Sequence, residues 1–207
     1  MDATRREGAG VDEREVKLAV AEDFELPALT GLDGVTAVDR GEERLRAVYW
    51  DTDGLALAHA GVGLRHRNGV WTYKGRSRRE GDAVVREELE VSADGGSIPP
   101  EMCARVGEWV EPAALHPVAE LDTMRHHVDL AQADSTAELV HDRVRVLEGA
   151  RVVASFAEVE VEHGRASQEL ADRVVRLLVA SGAAVDTTPK YFRALRALGQ
   201  RPPDVSL

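Results

Sequence analysis

The most constraining feature of this chain is a strand-like pattern in which every second residue is charged and the residues between are apolar. In the segment 158–162, Glu158, Glu160 and Glu162 alternate with Val159 and Val161. Side chains two residues apart point to the same face of a strand, so one face here is acidic and the other apolar. One such strand would be an ordinary sheet face exposed to solvent.

The same alternation recurs along the chain with charges of both signs. Glu13, Glu15 and Lys17 share one face of a first strand, and Arg65 and Arg67 share one face of another. Several rows of mixed sign predict that the charged faces enclose a polar cavity. Carboxylates bind divalent cations and guanidinium groups bind phosphates, so we expect a polyanion bound together with a divalent metal ion.

Length, charge and cysteine content limit the class of protein. The 207 residues, 43% of them hydrophobic, suit one globular domain. A net charge of −11 argues against an exposed nucleic-acid surface. Cys103 is the only cysteine, no apolar run approaches the roughly 20 residues of a membrane helix, and the first residues lack a secretory signal. We therefore expect a cytoplasmic monomer or homodimer that binds neither nucleic acid nor membrane.

Most of the chain has the pattern of β-strands. Strands are predicted over residues 13–20, 43–50, 63–67, 70–74, 83–91, 119–131, 138–147 and 151–163. Asn68-Gly69 is the strongest hairpin signal among them. Eight strands can close into an antiparallel barrel that has no edges. The expected fold class is α+β, mainly antiparallel β: an eight-stranded closed tunnel with a polar interior and flanking helices, formed by residues 12–207 after a disordered tail over residues 1–11.

Four helices are predicted around these strands. One begins after Asp51 or Thr52 as N-cap, and the others cover 101–110, 167–181 and a segment beyond Pro189. The last helix is amphipathic, so we expect it to dock by its apolar face while Lys190 points toward the tunnel mouth. The cluster Arg76, Arg78 and Arg79 is interpreted as a solvated loop. His126 and His127 are adjacent on a strand and face opposite ways, which argues against a shared metal.

A series of motifs follows one order along most of the chain. They are Glu13-x-Glu15-x-Lys17, Tyr49-Trp50-Asp51-Thr52, Arg65-x-Arg67, Lys74, Glu88-x-Glu90, Arg125, Asp142, Glu158-x-Glu160-x-Glu162 and Lys190-Tyr191. Glu-x-Glu-x-Lys alone is common, whereas the ordered set is specific. It resembles the CYTH family, the triphosphate tunnel metalloenzymes, over residues 12–198. The resemblance implies an eight-stranded tunnel, a triphosphate bound along its axis, and Mg²⁺ or Mn²⁺ held by glutamates.

The motif residues have three expected roles, and some residues have two of them. Phosphate binding is assigned to Lys17, Arg65, Arg67, Lys74, Arg125 and Lys190, because arginine forks bind phosphate oxygens bidentately and lysines add charge. Metal binding is assigned first to Glu13, Glu15, Glu158 and Glu160, then to Glu88, Glu90 and Glu162. Catalysis is assigned to Lys17, Arg65, Arg67 and Asp142. Asp142 is expected to orient an arginine or a water.

The leading reaction is metal-dependent hydrolysis of a triphosphate, either inorganic tripolyphosphate or a nucleoside or thiamine triphosphate. Catalysis would consist of charge neutralisation and alignment of the nucleophile. Two alternatives remain open: a class IV-type adenylate cyclase that makes cyclic AMP and pyrophosphate, and a non-catalytic module that binds polyphosphate. The charged residues indicate how the phosphates would be bound, but they do not identify the rest of the substrate.

Overall fold

The computed structural model describes residues 11–93 and 96–204, except the side chains of Val11, Asp12, Glu13 and Thr30. The strands are β1 Val11–Val20, β2 Thr36–Asp51, β3 Gly63–Arg67, β4 Val70–Lys74, β5 Arg78–Glu80, β6 Ala83–Ser92, β7 His116–Gln132, β8 Ser135–Glu148, β9 Arg151–His163 and β10 Ala184–Val185. The helices are α1 Ala56–Ala60, α2 Pro100–Val106, α3 Gln168–Ala180 and α4 Lys190–Ala197. Val11 belongs to β1, and the rest of the predicted tail lies outside the described residues.

Eight of the strands close into an antiparallel barrel, as the sequence predicts. The neighbours run β1-β9-β8-β7-β2-β3-β4-β6, and β6 pairs back onto β1 to close the ring. The hairpin between β3 and β4 turns at Asn68 and Gly69, whose φ angles of 50° and 79° place both residues in the left-handed region. These angles are typical of the two-residue turn expected there.

The structure corrects several boundaries. β2 begins at Thr36 instead of residue 43, because it pairs with β7 along nearly its whole length. Two short strands were not predicted: β5, which pairs with β6, and β10, which pairs with β1. The supposed loop cluster of arginines is therefore partly strand. α2 ends at Val106, four residues earlier than expected.

The barrel carries much of its apolar core on the outside. Outward residues of β1, β8 and β9 pack with α3, for example Val16 and Val159 with Leu170 and Val174. A second outer cluster includes Trp71 and residues of α2. These outer apolar faces are thus covered by helices, and the charged rows lie on the inward faces of the strands. No helix within the described residues is long and apolar enough to cross a membrane.

α4 contributes a third apolar cluster, together with residues of β2, β7 and β8. Tyr191, Phe192 and Leu195 pack there, as the amphipathic pattern predicts. The ring of Tyr191 stacks on that of Tyr49 at 4.9 Å, and its hydroxyl donates a hydrogen bond of 2.8 Å to Asp51. Asp51 also accepts from the backbone N–H groups of Leu57 and Ala58, so one buried carboxylate joins the start of α1 to α4.

Candidate active site: the charged tunnel

A cavity of about 1200 Å³ runs into the barrel and is lined by charged side chains of opposite sign. β1 and β9 supply carboxylates and a lysine, while β3 supplies guanidinium groups. The lining includes Glu15, Lys17, Arg65, Arg67, Lys74, Glu88, Glu90, Arg125, Glu160, Glu162 and Lys190 among the residues that the sequence indicated. The alternating pattern of these strands places the charged rows on the inside.

Three carboxylates form a cluster that suits a divalent cation. One oxygen each of Glu15, Glu160 and Glu162 lies within 4.8 Å of the others. Glu15 and Glu162 are paired across β1 and β9, and Glu160 is the next inward residue of β9. Burial, together with the charges of Glu160 and Glu15, raises the pKa of Glu162 to about 7. Such crowding of oxygen ligands fits Mg²⁺ or Mn²⁺, because a bound cation would relieve the repulsion.

Behind this cluster lies a buried network of paired charges. The Lys17 ammonium is 2.9 Å from Glu160 and 3.5 Å from Glu158. Burial lowers the pKa of Lys17, but the nearby carboxylates outweigh it and raise the pKa well above its usual value. Burial raises the pKa of Glu160, yet the same lysine and its basic neighbours hold it well below the usual range. Lys17 and Glu160 are therefore both charged.

Asp142 orients Arg125 within the same network. Nε of Arg125 donates to Asp142 at 2.8 Å and Nη2 donates at 2.6 Å, while Nη2 also reaches Glu160 at 3.2 Å. Burial raises the pKa of Asp142, but Lys190 and Arg125 more than compensate and lower it. Asp142 has no exposed surface and does not line the cavity, so it orients Arg125 without contacting the cavity itself.

The structure corrects the expected position of Lys190. Its ammonium is buried between carboxylates, donating to Asp142 and lying 3.0 Å from Glu158, instead of facing the tunnel mouth. The reason is that α4 packs its apolar face onto the barrel and so carries its first residue inward. Glu158 has no exposed surface, and burial raises its pKa despite Lys17 and Lys190. Both residues thus contribute to the internal ion-pair network.

The opposite wall carries two arginines that have no acidic partner among the described residues. No carboxylate in the described part of the chain forms a salt bridge with Arg65 or Arg67. Nη2 of Arg65 donates to Thr72 at 3.1 Å, and its buried Nε has no hydrogen-bond partner among the described residues. Burial and the charges of Arg65 and Arg125 lower the pKa of Arg67. This wall has hydrogen-bond donors and positive charge available for an anion.

The remaining predicted residues lie on β4 and β6. Lys74 and Glu88 form an ion pair with each other, and Thr72 donates to Glu90 at 3.2 Å. Glu88 also accepts from Arg86 at 3.0 Å. Among the described residues, Glu88 does not belong to the cluster of Glu15, Glu160 and Glu162. Glu90 is exposed at the cavity edge. The side chain of Glu13, also predicted as a metal ligand, is not among those that the structure describes.

Sequence reasoning missed several charged residues of the lining. Arg86 lies 3.0 Å from Glu15, and the alternation Arg86-x-Glu88-x-Glu90 could have indicated its inward direction. His127 contacts Glu138 at 2.6 Å and Glu43 at 2.8 Å inside the barrel. His126 instead contacts Asp39 at 2.9 Å. The two side chains therefore point to opposite faces of β7, as their adjacent positions predict.

The fold and the lining define a tunnel protein, a closed antiparallel β-barrel with carboxylates and arginines on facing inner walls. Comparison with known proteins gives the family: the CYTH domain matches residues 12–187, and the chain belongs to that family.

Known proteins resemble this chain in sequence or in fold. An uncharacterized protein of Mycobacterium tuberculosis is 29% identical over 83% of this chain, which spans only 37% of that relative. A Bacillus halodurans structure described as a "putative adenylate cyclase" has a TM-score of 0.54 and 15% identity, covering 86% of this chain and 95% of the other. A Hippeastrum structure, "putative adenylyl cyclase HpAC1", has a TM-score of 0.53 and 15% identity, covering 92% and 98%. Its description reports a dominant triphosphatase activity.

Proposed function

We propose that the tunnel hydrolyses a triphosphate in the presence of a divalent metal ion and releases orthophosphate. One observation carries the proposal: the half-buried guanidinium groups of Arg65 and Arg67 lack acidic partners in the described chain and line the same cavity as the cluster of Glu15, Glu160 and Glu162. An anion would satisfy the arginines and a cation would satisfy the glutamates. A metal-bound polyphosphate supplies both charges at once.

The roles of the chain's own residues follow from this arrangement. Arg65 and Arg67 bind phosphate oxygens and hold the triphosphate along β3. Arg125, fixed by Asp142, adds a positive charge beside Glu160. Lys17 and Lys190 keep Glu160 and Glu158 in place, so the acidic cluster is organised before substrate enters. Arginines would also stabilise the negative charge that grows on the departing diphosphate.

The metal ion would be held by Glu15, Glu160 and Glu162, and when bound it would supply positive charge to the phosphates and lower the pKa of a nearby water. In the overall reaction a water oxygen forms a bond to the terminal phosphorus while the bond from that phosphorus to the bridging oxygen breaks. The bridging oxygen leaves with the electron pair on diphosphate, and the water's proton is released.

A product assay tests the proposal. Purified protein is incubated with tripolyphosphate, ATP or thiamine triphosphate, with Mg²⁺ or Mn²⁺, and orthophosphate, pyrophosphate and cyclic AMP are measured. We expect orthophosphate from tripolyphosphate, and loss of turnover with EDTA or in Glu15→Gln, whose folding is checked by circular dichroism. Retained turnover with EDTA would contradict the metal assignment.

The family's other activities are outcomes of the same assay. The two solved relatives carry cyclase descriptions, which makes cyclisation of ATP the second candidate. Cyclic AMP with pyrophosphate would overturn the proposed hydrolysis in favour of that reaction. Tight binding of tripolyphosphate without any product would identify a binding module instead.

A further inference from the structure

Arg76 extends the basic wall of the tunnel beyond the end of the barrel. It follows β4 by two residues, lies in the exposed loop that the sequence pattern indicated, and lines the same cavity as Arg65 and Arg67. β4 runs antiparallel to β3, and its last residue Lys74 lies opposite Gly63. The four residue steps from Arg67 to Gly63 cover about 13 Å of strand, and Arg76 lies further along. A fully extended triphosphate is shorter than this row.

The guanidinium of Arg76 is held in place by an aromatic ring and a backbone carbonyl. Its Cζ lies 4.6 Å from the centre of the Trp109 ring, and its Nε donates to the carbonyl of Ala60 at 2.8 Å. Trp109 is fixed in turn by its Nε1–H, which donates to the Tyr73 hydroxyl at 3.1 Å. No carboxylate pairs with Arg76 in residues 11–93 or 96–204. Asp204 lines the same rim, but it lies 3.7 Å from Arg196.

Arg105 shows what a purely structural contact of this kind looks like. Its guanidinium lies 5.4 Å from the Tyr73 ring centre, yet it also pairs with Glu87 and with Glu108 at 3.0 Å. Arg105 is not part of the cavity lining. Arg76 therefore combines three features that Arg105 lacks: it lines the cavity, it has no acidic partner in the described chain, and it continues a row of bases.

We propose that Arg76 forms a rim subsite that binds the part of a condensed phosphate chain beyond the three phosphates held inside the barrel. The site would then favour linear polyphosphates of four or more phosphates over tripolyphosphate. This inference rests on the proposed function of the tunnel. A phosphate chain is a better occupant than a nucleobase, because the Trp109 face on which a base would stack is covered by Arg76 itself.

Calorimetric binding in EDTA, in which we expect no turnover, tests the subsite with tripolyphosphate, tetrapolyphosphate and ATP. We expect the wild-type protein to bind tetrapolyphosphate at least fivefold more tightly than tripolyphosphate, because a charge-assisted contact is added. In Arg76→Gln this preference should disappear while tripolyphosphate binding changes less than twofold. Arg105→Gln is the matched control and should keep the preference. Arg76→Lys, which keeps the charge without the planar fork, should retain part of it.

Other outcomes overturn the inference. An equal loss for both phosphate chains in Arg76→Gln, or no loss at all, would return Arg76 to a structural role. A loss confined to ATP would assign the rim to a nucleoside. Unfolding temperatures are measured for all variants to detect misfolding. If Arg76→Gln is unstable, Arg76→Lys is used in its place. If tripolyphosphate binds and is hydrolysed but the fourth phosphate adds nothing, only the rim subsite fails; if no phosphate chain binds, the proposed function fails as well.

Discussion

The two walls of the tunnel differ in how their basic side chains are paired. On the wall formed by β1, β7, β8 and β9 together with the start of α4, Lys17, Arg125 and Lys190 each contact buried carboxylates. On the β3 wall, Arg65 and Arg67 have no such partner in the described chain. Side chains that form ion pairs with each other fix the shape of the site, whereas arginines without a carboxylate partner are available to bind a ligand. Substitutions on the first wall should therefore reduce stability, and those on the second should reduce affinity.

Lys190 gives the largest expected effect on the paired wall. Lys190→Met leaves Asp142 and Glu158 buried without their shared cation, so we expect the free energy of unfolding to fall by about 3–5 kcal/mol. Urea denaturation of the ligand-free protein measures it. Arg196→Met on the same helix is the matched control, because its contact with Asp204 is exposed and long. If the two variants lost the same small amount, the paired wall would not be a stabilising network.

Arg67 tests the opposite wall. Arg67→Gln should weaken tripolyphosphate binding tenfold or more, corresponding to the roughly 1.5–3 kcal/mol of a charge-assisted hydrogen bond. Stability without ligand should stay the same or rise slightly, because burial and the neighbouring Arg65 and Arg125 already disfavour its charge. Calorimetry and thermal denaturation measure the two quantities. Arg143→Gln, on the outer surface and paired with Glu42, is the control. A large loss of stability in Arg67→Gln would contradict the assignment of this wall to ligand binding instead of stability.

The acidic cluster sharpens the comparison through metal binding. Glu162→Gln removes one oxygen ligand with its charge, so we expect Mn²⁺ affinity to fall about tenfold, or about 1.4 kcal/mol. Electron paramagnetic resonance of free Mn²⁺ measures it without any turnover. Glu138→Gln is a close control, since Glu138 pairs with Glu162 across β8 and β9 but contacts His127. Equal affinity in wild type and Glu162→Gln would remove this residue from the metal site.

His127 gives the smallest effect, because the side chains of its carboxylate partners Glu43 and Glu138 are 51% and 41% exposed. Burial lowers its pKa, but hydrogen bonds to Glu43 and Glu138 outweigh burial and raise it above 6.5. The imidazolium therefore stabilises the folded state below about pH 6.5, and this contribution is lost as the pH rises through the higher folded pKa. We expect the free energy of unfolding to change by less than about 1 kcal/mol over this pH range, and we expect this change to be absent in His127→Gln. His126→Gln, with its side chain on the outer face, is the neighbouring control, and a profile unchanged by His127→Gln would refute the assignment.

The alternating charges of the sequence predicted the barrel and the inward direction of its rows, because the two-residue period of a strand is local information. Glu158, Glu160 and Glu162 could be placed on one face in this way. The ion-pair partners could not be predicted, since Lys190 and Asp142 lie 48 positions apart and meet only through the docking of α4. Arg76 lies in an exposed loop, as predicted, but its contact with Trp109 could not be predicted because the two residues lie in distant segments of the chain.

The central claim is that the two walls together bind a phosphate chain and a divalent ion. A crystal structure with Mn²⁺ and tripolyphosphate, recorded with anomalous data, tests it most directly. We predict an anomalous peak coordinated by the carboxylates of Glu15, Glu160 and Glu162, and phosphate oxygens in contact with Arg65 and Arg67. A manganese peak away from these glutamates, or a phosphate chain outside the barrel, would contradict the account.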